Sequence, residues 1–239
     1  MTTTRRKVML IGGDFLYKRL FDEVMGFDVI YPDTMDECMR TDVDLVIFTG
    51  GEDVHPNLYK GIHTNVSWVN ESRDAMEQII FKYYLKHGIK MTGICRGLQI
   101  MNVLCGGQMY QHITNHNGFY HRAFFPRTNK TFVVSSTHHQ MVLLPSDAYP
   151  VAWSSTPRSL IYIGPMAVKV SPPQYEIEAA VFPKFNCFGV QFHPEIMNTK
   201  EEDTIYYCEL INDFLRMNIN SFADTYGYKG DTNVCKAEL

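Results

Sequence analysis

Strand-like apolar runs alternate with helical segments through the first half of the chain, and this alternation limits the folds open to it. Residues 43–48 are almost entirely apolar, which is typical of a parallel strand covered on both faces. The other predicted elements of this half are strands at residues 7–11, 27–31 and 89–94 and helices at residues 15–25, 72–87 and 98–104. The pattern predicts a three-layer α/β sandwich with a mainly parallel central sheet, whose functional site gathers at the carboxyl ends of the strands.

The second half is richer in predicted strand. Residues 130–136, 176–182 and 187–192 read as strands, and residues 201–217 as a final helix. Residues 218–239 are polar and aperiodic, so we expect a loosely attached C-terminal tail. At 239 residues, the chain fits one catalytic domain, residues 1–217, followed by that tail, residues 218–239.

Composition excludes several classes of function. The formal net charge is −4, from 22 basic and 26 acidic residues, so no basic surface for nucleic acid is expected. No run of about 18 apolar residues predicts a membrane span, and residues 1–8 lack a signal-peptide core, which favours a cytoplasmic protein. The six cysteines are widely spaced and fit reduced thiols better than a disulfide framework.

The strongest local motif is G-I-C-R-G at residues 93–97, between a predicted strand and a predicted helix. A Gly-x-Cys-x-Gly turn at this place is the cysteine form of a nucleophile elbow, with Cys95 at a helix N-terminus that favours a thiolate. The backbone N–H of Arg96 is then a candidate oxyanion donor. The alternative is a small buried Cys95 in a tight structural turn.

A second motif, Q-F-H-P-E at residues 191–195, closes an apolar strand. In extended chain His193 and Glu195 point to the same side, and Pro194 restricts the backbone between them. A thiol nucleophile needs a base, and the base needs an orienting carboxylate. Cys95, His193 and Glu195 are therefore the candidate triad, although His193 alone could be an ordinary strand-end histidine.

The third motif is T-G-G-E-D at residues 49–53, directly after the apolar strand at residues 43–48. A Gly-rich turn here brings backbone N–H groups to the carboxyl edge of the sheet, so Gly51 is the candidate for the second oxyanion donor. The turn lacks the further residues of a nucleotide-binding loop.

In this order the three motifs resemble the class I (triad-type) glutamine amidotransferase superfamily, which has a flavodoxin-like fold. The motifs around residues 50–59, 73–77, 93–107 and 136–140 are similar to its γ-glutamyl hydrolase branch, the peptidase C26-like relatives of γ-glutamyl-γ-aminobutyrate hydrolase. The resemblance implies that Gln99 and the Gly50–Gly51 loop hold the glutamyl group and that His138 and Ser136 line the same pocket. It implies no cofactor.

Five histidines between residues 112 and 139 raise the alternative of a metal site. The spacing H-x3-H-x4-H of His112, His116 and His121 lacks a nearby carboxylate or cysteine pattern, so no metal ligands are predicted. Glu52, Asp53 and Glu77 are interpreted as loop and helix anchors rather than as metal ligands.

The sequence therefore predicts a cysteine-dependent hydrolase that cleaves a γ-glutamyl amide, glutamine or a γ-glutamyl amine, through a γ-glutamyl thioester. One alternative is a glutaminase subunit that delivers ammonia to a separate synthetase, and the other is a catalytically silent binding protein on the same fold. The expected partners are a small-molecule γ-glutamyl substrate and, for the first alternative, the synthetase. The leaving amine and the oligomeric state stay open.

Overall fold

A nine-stranded sheet forms the centre of the protein in a computed structural model that describes residues 5–64, 67–118 and 120–230. Its strands are β1 (Lys7–Ile11), β2 (Asp28–Ile30), β3 (Leu45–Phe48), β4 (Lys90–Ile94), β7 (His121–Phe125), β8 (Lys130–Val134), β10 (Tyr149–Ser154), β12 (Ile177–Phe182) and β13 (Cys187–Val190). Their order across the sheet is β2-β1-β3-β4-β13-β12-β10-β7-β8. Two small sheets pair β5 (Gln108–Tyr110) with β9 (Met141–Leu143) and β6 (His112–Ile113) with β11 (Tyr162–Ile163).

The strands β2, β1, β3, β4 and β13 are parallel neighbours, whereas β12, β10, β7 and β8 are joined by antiparallel pairings. In the large sheet, β12 and β7 run opposite to the other strands. The expected mainly parallel α/β fold is confirmed, and so is the greater share of strand in the second half.

Helices cover both faces of the sheet. The helices are α1 (Phe15–Lys18), which continues as a π-helix at Arg19–Val24, α2 (Glu71–His87), α3 (Arg96–Leu104), α4 (Glu202–Arg216) and α5 (Ile219–Tyr226). One face carries α1, α4 and α5 over a core that includes Phe21, Phe188 and Phe214, and the other carries α2 and α3 over a core that includes Phe81 and Met101. Three layers result, because each sheet face must bury its own apolar side chains.

Helix α2 starts and ends at identifiable caps. Gly88 ends it in the left-handed conformation, as its sequence predicts. The helix begins at Glu71, one residue before the predicted start, and its N-cap is Asn70, whose side chain accepts the backbone N–H of Arg73.

The expectation of a loose tail from Asn218 is wrong for the described residues 218–230. Asn218 caps α5, and Phe222 on that helix is fully buried, with ring centroids 5.3 Å from Phe188 and 5.2 Å from Phe214. Residues 231–239 lie outside the described residues. Among the described residues, no helix is long and apolar enough to span a membrane.

Candidate active site

The three motifs of the sequence meet at the carboxyl edge of three neighbouring strands. Strand β3 leads into the Gly50–Gly51 turn, β4 leads into Cys95, and β13 leads into the segment that carries His193. Since β3, β4 and β13 are parallel and adjacent, their carboxyl ends lie side by side. The topology thus brings together residues that are far apart in the chain.

Cys95 occupies the turn between β4 and α3 with a backbone φ of 53° and ψ of −109°. A non-glycine residue in this region is strained, and the packing around it must hold it there. Gly97 allows the close approach, since a Cβ on it would lie 1.9 Å from the carbonyl oxygen of Phe48. The thiol stands at the N-terminus of α3 and is 6% exposed.

His193 joins the other two members of the candidate triad. Its Nδ1 lies 2.6 Å from Oε1 of Glu195, and its ring lies close enough to the Cys95 side chain for the sulfur to act on the imidazole. Burial lowers the pKa of His193, but the neighbouring Cys95 sulfur and the Glu195 carboxylate outweigh burial and raise it to about 10. The predicted nucleophile, base and orienting carboxylate therefore lie together, and the base is hydrogen-bonded to the carboxylate.

The backbone of His193 is fixed by a residue that the sequence interpretation missed. The Ser135 hydroxyl accepts the N–H of His193 at 2.8 Å and donates to its carbonyl oxygen at 3.0 Å. Ser135 precedes the predicted pocket residue Ser136 and carried no motif of its own.

Tyr17 is a second residue that the sequence interpretation missed. Its hydroxyl accepts the Gly50 N–H at 3.0 Å, and burial together with the nearby Glu195 carboxylate raises its pKa. Gly50 itself lies against the triad, since a Cβ on it would be 2.7 Å from Cε1 of His193. Tyr17 lies in the first predicted helix, and no sequence motif marks it. Its burial is visible only in the folded chain.

The Gly50–Gly51 turn is held from below by Arg73. Its guanidinium donates to the carbonyl oxygens of Gly50 at 2.9 Å and Thr49 at 3.1 Å, and it pairs with Glu52 at 3.0 Å. Gly51 has a φ of 143°, and a Cβ there would lie 2.1 Å from Nη1 of Arg73. The turn therefore needs glycine and a fixed guanidinium.

A buried ion-pair network links this turn to the nucleophile elbow. Glu77 pairs with Arg73 at 2.8 Å and with the fully buried guanidinium of Arg96, which also pairs with Asp74. Asp74 in turn accepts the backbone N–H of His55 at 2.9 Å. The interpretation of Glu77 as an anchor agrees with these contacts.

The candidate oxyanion donors lie on the two sides of this network. Arg96 is the first residue of α3, so its N–H has no acceptor within that helix. Gly51 follows Gly50, which lies against the His193 ring. Arg73 donates to the carbonyl oxygen of Gly50, which precedes Gly51, and Glu77 pairs with the Arg96 side chain. The Arg73–Glu77 ion pair therefore connects the two segments.

The residues expected to bind the glutamyl group fall into two groups. Gln99 donates to the Gln140 carbonyl oxygen at 3.3 Å, and Nδ1 of His138 lies 2.8 Å from the same oxygen, so these two share one wall. Ser136 instead donates to the carbonyl oxygen of His116 at 2.7 Å. Gln99, His138 and Ser136 are all buried.

Two buried carboxylates lie beside these histidines in the folded chain, although neither lies near the histidine motif in the sequence. The buried Glu178 lies 2.8 Å from Nε2 of His121 and 3.8 Å from Nδ1 of His116. Glu176 lies 3.2 Å from the other nitrogen of His116. These strands and loops are far apart in sequence, so spacing alone could not reveal the cluster.

Comparison with known proteins gives matches at the levels of family, sequence and fold. Residues 16–195 match the peptidase C26 family. A Schizosaccharomyces pombe protein named a "putative glutamine amidotransferase" is 39% identical over 89 residues, which are 36% of this chain and 35% of that protein. The chain thus spans about a third of the length of that relative.

Two further matches extend the comparison. The glutamine-hydrolysing GMP synthase of Macrococcus caseolyticus is 28% identical over 130 residues, 54% of this chain and 22% of that protein. The solved structure of a glutamine amidotransferase from Thermotoga maritima superposes with a TM-score of 0.57 at 19% identity, covering 93% of this chain and 92% of that one. The structural likeness supports the fold.

Proposed function

The chain belongs to the peptidase C26 family, and from this premise we propose that it hydrolyses a γ-glutamyl amide with Cys95 as its nucleophile. The observation that carries the proposal is the contact of Cys95, His193 and Glu195 at the carboxyl edge of the sheet. A binding scaffold has no need of a nucleophile beside a base that is hydrogen-bonded to an orienting carboxylate.

In the first half of the proposed reaction, the Cys95 sulfur attacks the δ-carbonyl carbon of the γ-glutamyl group. The carbonyl electron pair moves to oxygen, where the N–H groups of Gly51 and Arg96 stabilise the oxyanion. As the carbonyl re-forms, the C–N bond breaks and the His193 imidazolium gives its proton to the departing nitrogen. The products of this step are a γ-glutamyl thioester and ammonia or an amine.

In the second half, neutral His193 takes a proton from water, and the resulting hydroxide attacks the thioester carbon. The C–S bond breaks, glutamate is released, and the thiol regains the proton through His193. Glu195 accepts the N–H of Nδ1 and so fixes the tautomer of His193, and the other ring nitrogen faces the sulfur and the substrate.

The polar wall beside the nucleophile supports a glutamyl substrate. Gln99 lies one helical turn beyond Cys95 on α3, and its side chain reaches the wall that also carries His138. With Ser136 and the Gly50 loop, these groups offer amide, imidazole and hydroxyl contacts to an amino acid head group.

The second candidate function is a glutaminase subunit that supplies ammonia to a separate synthetase. The similarity to a glutamine-hydrolysing GMP synthase favours this candidate, because the name of that protein combines glutamine hydrolysis with a synthetic reaction. The chemistry at Cys95 is the same in both candidates, and the substrate that is accepted without a partner distinguishes them.

The cysteines support a reducing compartment. The five cysteines of the described residues are free thiols, namely Cys38, Cys95, Cys105, Cys187 and Cys208. Free thiols are typical of proteins in the cytoplasm, where disulfides are kept reduced. We therefore place the proposed reaction in the cytoplasm.

The test is release of glutamate, ammonia and amine from glutamine and from a panel of γ-glutamyl amines. The wild type is compared with Cys95→Ala and with Cys208→Ala, which removes a thiol of α4. Turnover of γ-glutamyl amines above glutamine, lost only in Cys95→Ala, supports a free-standing hydrolase. Turnover of glutamine alone supports the glutaminase candidate, and turnover retained in Cys95→Ala overturns the mechanism.

A further inference from the structure

A second cluster of reactive side chains lies apart from the candidate triad, among the antiparallel strands. One donor atom from each of His116, His121 and Glu178 lies within 4.8 Å of the others, and all three side chains are buried. His116 follows β6, His121 begins β7, and Glu178 lies on β12. Only the folded sheet brings them together.

The separations of the donor atoms suit a small divalent cation. Oε1 of Glu178 is 2.8 Å from Nε2 of His121 and 3.8 Å from Nδ1 of His116. A tetrahedral zinc ion with bonds of roughly 2.0–2.1 Å holds its ligand atoms about 3.3 Å apart. The observed distances fall on either side of that value, so small side-chain movements would complete the geometry.

His116 has the outer contact that orients a metal-binding histidine. Its Nε2 lies 3.2 Å from Oε2 of Glu176, and its Nδ1 lies 3.8 Å from Oε1 of Glu178 and 3.5 Å from the Ser136 hydroxyl. Glu176 is itself fixed by the Tyr162 hydroxyl at 2.6 Å and by the backbone N–H of Ser159 at 2.8 Å. A carboxylate behind a ligand histidine sets its tautomer and increases its basicity.

His138 lies beside the cluster and leaves one ring nitrogen without a partner in the described part of the chain. Its Nδ1 lies 2.8 Å from the Gln140 carbonyl oxygen, which can only accept, so the proton is on Nδ1 and Nε2 carries the lone pair. Nε2 is buried without a hydrogen-bond partner among the described residues, and so is Oε2 of Glu178. The ring of His138 is centred 4.8 Å from that of His116.

We propose that His116, His121 and Glu178 bind a zinc-class divalent cation. A nitrogen-rich set with one carboxylate is the donor chemistry of zinc rather than of calcium or magnesium. Because every ligand is buried, the ion acts structurally. It ties the segment around His116 to β7 and β12, behind the wall that carries Gln99.

The test uses the full chain in the Cys95→Ala background, which removes the catalytic thiol as a competing ligand. After treatment with a chelator and dialysis, Zn²⁺ is titrated calorimetrically and Co²⁺ is added as a spectroscopic probe. We expect one site per chain, with the intense visible Co²⁺ bands of a tetrahedral centre. Absence of a stoichiometric site, or an octahedral Co²⁺ spectrum, would overturn the proposal whatever the variants do.

Two ligand variants and one control locate the ion. His121→Ala and Glu178→Gln should each weaken Zn²⁺ binding by about 100-fold or more, whereas His87→Gln, at the exposed end of α2, should leave it unchanged. Circular dichroism checks folding, and His116→Gln serves as a second, milder variant. Wild-type affinity in the folded ligand variants would contradict the assignment. Because the readout is metal binding, the result does not depend on turnover at Cys95.

Discussion

The residue on which the proposed chemistry depends is Cys95, and its backbone strain supports the assignment. A non-glycine residue at φ 53° costs of order 1–3 kcal/mol, and such outliers cluster at functional sites. If the residue at this position served only to form a tight turn, glycine would adopt the same backbone conformation at a lower cost. The strained cysteine, in contact with His193, therefore favours the nucleophile over the buried structural thiol.

The first prediction concerns removal of the nucleophile and the base. Cys95→Ala and His193→Ala should each lower kcat by about 10³-fold or more, because members of a catalytic triad act as a unit. Glu195→Gln should cost less, since an orienting carboxylate contributes less than the nucleophile or base. Steady-state kinetics with the preferred γ-glutamyl substrate measure this order. A Glu195→Gln defect as large as that of Cys95→Ala would contradict the assigned roles.

The second prediction is a pH effect at His193. The Cys95 sulfur is the largest of the contributions that raise the pKa of His193, so Cys95→Ala should lower the proton affinity of the imidazole at least about tenfold, or ~1.4 kcal/mol. NMR titration of the ring protons in the two proteins measures this change. An unchanged pKa would mean that the sulfur and the imidazole are not in contact.

The same pKa has a consequence for stability with a defined sign. The folded-state value of about 10 lies above the ordinary value of 6.5, so the stabilisation is fully present below about pH 6.5 and is lost as the pH rises through about 10. Urea unfolding between pH 6 and 10 should therefore show a smaller decline for Cys95→Ala than for the wild type. The difference between the two curves reports the Cys95–His193 pair and cancels the other groups that titrate in this range.

At the scale of elements, the Gly50–Gly51 turn illustrates what a sequence does and does not predict. The motif and its place after β3 were sufficient to propose a turn at the sheet edge. The position of the Arg73 guanidinium beside this turn depends on α2 packing against β4 and α3, and a sequence motif does not predict such packing. Local geometry was therefore predictable, whereas its support was not.

The third prediction tests that turn with a pair of glycine variants. Gly51→Ala places a Cβ 2.1 Å from Arg73, whereas Gly106→Ala, also at a positive φ of 92°, meets no atom within 4 Å. Both should lose about 1 kcal/mol of stability from backbone strain, and Gly51→Ala should lose more because its Cβ displaces the Arg73 guanidinium. Only Gly51→Ala should also lower kcat, by about 100-fold, as expected for a displaced oxyanion donor. Equal kinetic losses in both variants would remove Gly51 from the site.

The fourth prediction concerns the ion-pair network between α2 and α3. Glu77→Gln leaves Arg73 and the buried Arg96 with one carboxylate partner fewer each, which should reduce the free energy of unfolding by about 3–5 kcal/mol. Glu209→Gln, the same change at an exposed position of α4, should alter it by less than about 0.5 kcal/mol. Urea unfolding of both variants checks the difference. Similar values for the two would show that the network contributes no stability.

At the scale of the whole molecule, long-range pairing decides what the sequence could not predict. The parallel half was foreseeable, since each of its strands forms a separate apolar run. Strand β10 contains Pro150 and β7 begins His121-Arg122, so neither has a clear alternating pattern. Strand β10 pairs with both β7 and β12, and this arrangement brings His121 close to Glu178, 57 residues away. The histidine spacing alone therefore argued against a metal site.

The C-terminal helix α5 shows a different kind of error, because its signal was present. Ile219, Phe222, Ala223 and Tyr226 recur with the period of an amphipathic helix behind an Asn218 cap. The polar composition of residues 218–239 as a whole obscured this short periodic segment. Average polarity over a terminal segment is thus a weaker indicator than periodicity within it.

The last prediction follows from the burial of that helix. Phe222 is fully buried against Phe188 of β13 and Phe214 of α4, so Phe222→Ala should reduce the free energy of unfolding by about 3–5 kcal/mol. Phe15→Ala, at a position 64% exposed, should reduce it by less than about 1 kcal/mol. Urea unfolding measures both. Because β13 leads into His193, Phe222→Ala should also lower the temperature at which turnover is lost, and an α5 that only trails the domain would leave both quantities unchanged.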